Sequence, residues 1–250
     1  MISKAKIKEI RGLEIKKIRD EKGLFVAEGN KLVTDMLRAF ECEWLISHAT
    51  WMATQGTINA KELILAEDND IRKISFLKTP QDVLAVFKKP LFNLDDANPA
   101  SQLVIALDGI QDPGNLGTII RLADWFGINH IVCSPDTADV YNPKTIQATM
   151  GALTHVKVHY TNLKEYIEKH TDSPVYGTFL DGEDIYSKQL SPNGIIVMGN
   201  EGGGIRPETE SLINEKLFIP PFPPESETTE SLNVAVATAI VCSEFRRPPS

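Results

Sequence analysis

Apolar residues recur at Ile7, Ile10, Leu13 and Ile18, the spacing of one helix face, so residues 4–20 read as an amphipathic helix. Residues 30–40 read as a second. The runs EWLIS (43–47) and ELILA (62–66) read as buried strands with helices after them, and this small α/β unit ends near Phe87. Residues 88–101, KKPLFNLDDANPAS, keep neither the helical nor the strand period and hold two prolines, which marks a break between domains. We place a first domain at residues 1–90, a linker at 91–101 and a second domain at 102–250.

The second domain alternates more regularly. Apolar strands are expected at 103–108, 130–134, 156–159, 175–180, 194–199 and 217–220. Helices are expected at 114–127, 143–150, 162–170 and 231–246. Strands that are apolar throughout, with helices between them, imply an α/β fold with a parallel sheet covered on both faces.

Composition narrows the class. At 42% hydrophobic the 250-residue chain can bury a core. No apolar run reaches the roughly 18 residues of a membrane span, and the charged start MISKAKIKEIRGLEIKKIRDEKG has no apolar signal core. A cytoplasmic protein without membrane contact is expected. Cys42, Cys133 and Cys242 form no CxxC and the histidines no HxxxH, so the thiols read as buried and reduced, and no metal site is expected.

The net charge of −8 argues against indiscriminate nucleic-acid binding. Of 26 Lys+Arg and 34 Asp+Glu, residues 1–100 hold 16 and 15, leaving 10 and 19 for the rest. The basic side chains Lys4, Lys6, Lys8, Arg11, Lys16, Lys17, Arg19 and Lys22 crowd the first helix. They are either a solvated face or an RNA contact.

Three segments carry candidate chemistry: DPGNLGTIIR (112–121), MGNEGGGI (198–205) and SLNVAVATAI (231–240). Each joins an apolar run to a helix. The first lacks the GxGxxG spacing of a dinucleotide site. Asn115 is a helix cap or a site residue. Arg121, among Ile119, Ile120 and Leu122, is a surface cation or an anion binder. Glu201 sits among Gly199, Gly202, Gly203 and Gly204, where backbone can approach a ligand closely. It is a capping acid or a site residue. Ser231 is a plausible N-cap of the last helix, and Asn233, unfavourable inside a first turn, invites a specific use of its amide.

Together and in this order, the segments resemble the three motifs of the SpoU (TrmH) family of RNA ribose 2′-O-methyltransferases. Residues 103–246 resemble its catalytic domain. Residues 4–87, with KGLFVAEGNKLV and ISFLKTPQDVLAVF, resemble the substrate-binding domain that often precedes it. The resemblance implies a SPOUT-type parallel-sheet domain with a carboxyl-terminal trefoil knot, S-adenosylmethionine (AdoMet) as cofactor, and a homodimer with the active site at the subunit interface. It implies that Gly199, Ile219 and Leu232 cradle the cofactor, helped by Thr178, Met198, Gly202 and Pro220. Asn115, Arg121, Glu201 and Asn233 match the catalytic polar positions, with Ser231 a fifth candidate.

The reaction so implied is in-line methyl transfer to a ribose 2′-hydroxyl of ribosomal or transfer RNA, with ribosomal RNA favoured by the first domain. Positioning two reactants supplies roughly 7–11 kcal/mol of such a barrier. Arg121 is a poor base, because a guanidinium does not readily give up its proton; gripping the phosphate and polarising the hydroxyl suits it better. The chain departs from the family pattern at IPPFPPESETTE, residues 219–230, which is longer than usual and lacks glycine. A silent RNA-binding module of the same fold, or a nucleotide-dependent oxidoreductase, are the competing readings.

Overall fold

The structure is a computed structural model that describes residues 2–223 and 231–248. Of the departing stretch 219–230, residues 224–230 lie outside the described residues. The chain divides into two compact units, one of residues 1–91 with 139–154, the other of 92–138 with 155–250.

The first unit begins with helices α1 (Lys4–Gly12) and α2 (Lys16–Lys22), where one helix over 4–20 was expected. The break has a physical cause. The guanidinium of Arg19 turns inward and donates to the carbonyls of Leu13 (2.7 Å) and Glu14 (2.8 Å), satisfying groups that the end of α1 leaves open. Strands β1 (Leu24–Glu28), β2 (Cys42–Ser47), β3 (Ala60–Leu65) and β4 (Val83–Lys88) form one sheet in the order β1-β4-β2-β3. Helices α3 (Asn30–Met36), α4 (Ala49–Ala53) and α5 (Asp68–Ile74) connect them. Ile10, Leu13, Val26, Ile46, Ile71 and Val86 meet in one apolar cluster. The expectation that ELILA is a buried strand fails, because β3 is a sheet edge bonded only to β2, with Leu63 and Leu65 more than half exposed.

The segment 139–154 groups with this unit. Tyr141 packs on Phe25 with ring centroids 4.9 Å apart, and Asp139 accepts from Arg19 Nη2 at 2.6 Å and Nε at 3.1 Å. Arg19 is only 1% exposed, so Asp139→Ala leaves a buried guanidinium without its counter-charge. The expected cost is about 3–5 kcal/mol, read as a lower urea midpoint at unchanged m-value.

In the second unit, β5 (Leu103–Asp108), α6 (Pro113–Trp125), β6 (His130–Cys133), β7 (Lys157–Tyr160) and α8 (Leu163–Glu168) follow the expected alternation, as does α7 (Pro143–Thr149) of the first unit. Then come β8 (Val175–Asp184), β9 (Gly194–Gly199), the single turn α9 (Pro207–Glu210), β10 (Glu215–Phe218) and α10 (Val234–Phe245). Six strands lie wholly parallel in the order β10-β8-β9-β5-β6-β7. Every residue of β5 is buried, as an inner parallel strand requires. Val104, Ala106, Ile195 and Val197 pack with Leu163, Tyr166 and Ile167 of α8, while α10 packs against α6 and β9. Residues 92–101 make contacts within this unit: Ala97 is fully buried and accepts from the Tyr166 hydroxyl, and Asn193 Nδ2 donates to the Pro99 and Ala100 carbonyls.

Chain order reverses beside β5. The connection from β5 leads towards β6, while that from β9 leads to β10 at the far edge. The two loops therefore part at the carboxyl ends of adjacent strands, which opens a crevice there.

Away from that crevice, His130 and His159 stack on neighbouring strands with Nδ1 of the first 3.1 Å from Nε2 of the second, beside the Lys157–Asp96 ion pair. Burial holds both imidazoles below their ordinary range, His159 down to about 4 through burial first and then its neighbours His130 and Lys157. The unfolded chain, with a histidine pKa near about 6.5, binds these protons more readily. Their contribution to stability is complete above that pH and is lost as pH falls towards 4. Urea midpoints should drop across this window, and less steeply in His159→Leu.

Candidate active site

The first motif turns at Gly109, whose φ of +74° favours glycine, and enters α6 through Asp112 and Pro113. Asp112 is the N-cap, its Oδ1 accepting from Asn115 N at 2.8 Å. Asn115 is thus not the cap, and its side chain points to other work. Its Nδ2 donates to Glu201 Oε1 at 2.7 Å.

The second motif leaves β9 at Gly199. A Cβ there would run into the backbone of Gly204 and Ile205, which fold back over it. Asn200 shapes the loop, accepting at Oδ1 from Gly202 N (2.8 Å) and Gly203 N (3.3 Å) and donating from Nδ2 to the Gly109 carbonyl (2.6 Å). Farther on, Arg206 clamps the end of β5. Its backbone N donates to Asp108 Oδ2 at 3.0 Å and its Nε to Oδ1 at 2.7 Å, with Nη2 also on Oδ1. The Asp108 side chain is wholly buried, and its hydrogen bonding raises the Arg206 pKa further.

The third motif supplies the last member. Asn233, not Ser231, is the N-cap of α10: its Oδ1 accepts from Ala235 N (3.0 Å) and Val236 N (3.3 Å). That places Asn233 ahead of the first turn and removes the propensity conflict. Its Nδ2 donates to Glu201 Oε1 at 2.6 Å and to Asn115 Oδ1 at 3.1 Å. Glu201 is no helix cap either. One of its carboxylate oxygens is held by two amides that come from helices 118 residues apart.

Arg121 does not join this cluster. It lies on the exposed side of α6 and makes no side-chain hydrogen bond or ion pair among the described residues.

Two cavities flank Glu201. The larger, about 480 Å³, is lined by Thr178, Met198, Gly199, Ile219, Ser231 and Leu232, all singled out from sequence. Phe179, Ile205, Phe218 and Val234 add apolar walls that sequence reasoning did not identify. The smaller, about 230 Å³, lies between the β5 and β9 loops and includes Gly202. Pro220 lines neither. Among the described residues no His, Cys, Asp and Glu group is placed to hold a metal ion, and no helix is long and apolar enough to cross a membrane.

A parallel α/β domain with this site at its switch point has known counterparts. The SpoU rRNA Methylase family matches residues 102–243, and an MRM3-like substrate binding domain matches residues 4–85. A 23S rRNA (guanosine(2553)-2′-O)-methyltransferase of Bacillus subtilis is 32% identical over 246 residues, 96% of each chain. Among solved structures, one from Porphyromonas gingivalis, described as of the TrmH family, has a TM-score of 0.90 at 41% identity over 98% of each chain. An AdoMet-bound rRNA methyltransferase from Sinorhizobium meliloti has a TM-score of 0.84 at 31% identity, over 98% of this chain and 95% of its own. The chain belongs to the SpoU methylase family.

Proposed function

We propose that this protein is an AdoMet-dependent RNA methyltransferase that methylates a ribose 2′-hydroxyl, with ribosomal RNA as its substrate. The observation that carries the reading is the Asn115–Glu201–Asn233 cluster set between two adjoining cavities. One cavity suits each reactant. The larger fits AdoMet on its own features: apolar walls from Met198, Ile219, Leu232 and Val234 for adenine and thioether, and a glycine-rich backbone edge at Gly199, Gly203 and Gly204. AdoMet supplies an activated methyl group; the residues of this chain position, orient and exclude water.

The relative from Bacillus subtilis, alike over its whole length, acts on 23S rRNA, which favours ribosomal over transfer RNA. In this reading residues 1–90 form the substrate-binding domain and 102–250 the catalytic one. Lys4, Lys8 and Lys16 are free to meet RNA, whereas Arg11 and Arg19 are committed to carbonyl and carboxylate partners and Lys6, Lys17 and Lys22 to ion pairs. The location is cytoplasmic, with the substrate.

The active unit is a homodimer. Its support is an apolar surface left open on the helices that carry the site: Trp125 at the end of α6 is 83% exposed, and Leu232 and Val236 are about half exposed. A trefoil knot is supported by Ser231 and Leu232, which follow edge strand β10 in the chain and line the same cavity as the β9 loop.

The test is incubation of the purified protein with methyl-labelled AdoMet and total RNA, followed by digestion to nucleosides. Label in 2′-O-methyl nucleosides of ribosomal RNA is expected. AdoMet binding without transfer would instead favour a silent module, and label confined to transfer RNA would reassign the substrate.

A further inference from the structure

We infer that the 230 Å³ cavity seats the ribose of the target nucleotide and that Glu201 receives its 2′-hydroxyl proton, an inference that rests on the methyltransferase reading above. The cavity is polar. Gln111, Asp112, Asn115, Asn200 and Glu201 line it, with Ile110 as an apolar floor. It offers two carboxylates and no cation, so it repels phosphate and suits a hydroxyl-rich sugar. It shares Asn200 and Glu201 with the larger cavity, so the two cavities adjoin at Glu201.

Glu201 has the right geometry for a proton acceptor. The Asn115 and Asn233 amides converge on Oε1, and Oε2 has no hydrogen bond among the described residues. The amide nitrogens beside it only donate. Arg121 is on another face of α6, and a guanidinium has donors only.

A carboxylate is basic enough for this reaction. As the 2′-oxygen forms its bond to the methyl carbon, the hydroxyl becomes an oxonium and its proton turns strongly acidic. The sulfur–carbon bond breaks with its electron pair left on sulfur, and the proton passes to Oε2. The products are a 2′-methoxy ribose, a neutral thioether and a carboxylic acid that returns its proton to water.

The test uses the full chain, methyl-labelled AdoMet and a ribosomal RNA transcript that the wild type methylates. Glu201→Gln keeps an oxygen for the two amides and removes the basic one. Its kcat should fall by at least about 10²-fold, with AdoMet and transcript affinities, each measured by calorimetry, within about threefold of wild type. A smaller loss of kcat, or loss of AdoMet binding, overturns the assignment. Gln111→Trp fills the smaller cavity; transcript binding measured without AdoMet should weaken at least about tenfold while AdoMet affinity is kept. Unchanged transcript binding overturns the ribose seat. A wild type that methylates no RNA refutes the methyltransferase reading itself, which separates that failure from these.

Discussion

Arg121→Ala should abolish RNA methylation, by about 10³-fold or more in kcat/KM, and leave AdoMet affinity within about threefold. The expectation follows from what Arg121 can do and where it sits. A guanidinium cannot give up its proton, but it binds phosphate with a planar fork of donors and polarises a nearby hydroxyl. It lies six residues beyond Asn115, which on a helix is about 9 Å along the axis and on a different face. It is therefore remote from the Glu201 cluster of its own chain, and exposed. Mixing decides between the two ways it can contribute. If Arg121 serves the other chain's Glu201, a heterodimer of Arg121→Ala and Glu201→Gln regains one intact site of two, and an equal mixture recovers about a quarter of wild-type activity. If it serves its own chain, the mixture stays inactive. Full activity of Arg121→Ala alone would remove Arg121 from the mechanism.

Arg206→Ala should be the most damaging change outside the reacting groups. Asp108 ends β5 with its carboxylate wholly buried, and Arg206 provides both side-chain donors and a backbone N–H to it. Removing the guanidinium leaves a buried charge with the backbone donor alone, at a cost of about 3–5 kcal/mol. The loop from Asn200 to Arg206 is anchored by this clamp and by Asn200 on Gly109, so AdoMet affinity should fall as well. Urea unfolding and calorimetric titration measure the two effects. Arg206→Lys should recover only part of each, because an ammonium cannot reproduce the forked contact. A stability within about 1 kcal/mol of wild type would show the clamp to be dispensable.

The parallel sheet was readable in the sequence because its inner strands β5 and β9 are almost wholly apolar and its helices carry their own caps. Asp112-Pro113 starts α6 and Asn142-Pro143 starts α7, both recognisable pairs. What stayed hidden was local pattern decided by distant partners. Strands β1 and β4 are short runs, apolar but for Glu28 and Lys88 at their ends, with no alternation to set them apart from helix. The break between α1 and α2 depends on Arg19 finding Asp139, 120 residues away. α9 is a single turn of four residues, too short for any period. At the site, the residue types were legible from the motifs, but their grouping was not. Which Asn caps a helix and which holds Glu201 is decided in space: Asp112 frees Asn115, whereas Asn233 does both through opposite ends of one amide. The Asp108–Arg206 clamp left only a faint trace, an acid at a strand end and a basic residue after a glycine run.

That double use of Asn233 bears on when activity can appear during synthesis. Its oxygen begins α10 and its nitrogen holds Glu201, so the carboxylate acquires its full support only once α10 has been made and has docked on α6 and β9. Asn115 and Glu201 leave the ribosome earlier and wait. A nascent chain stopped before α10 has most of the sheet but an unfinished centre, so methylation is coupled to completion of the fold and partly made chains do not modify RNA prematurely.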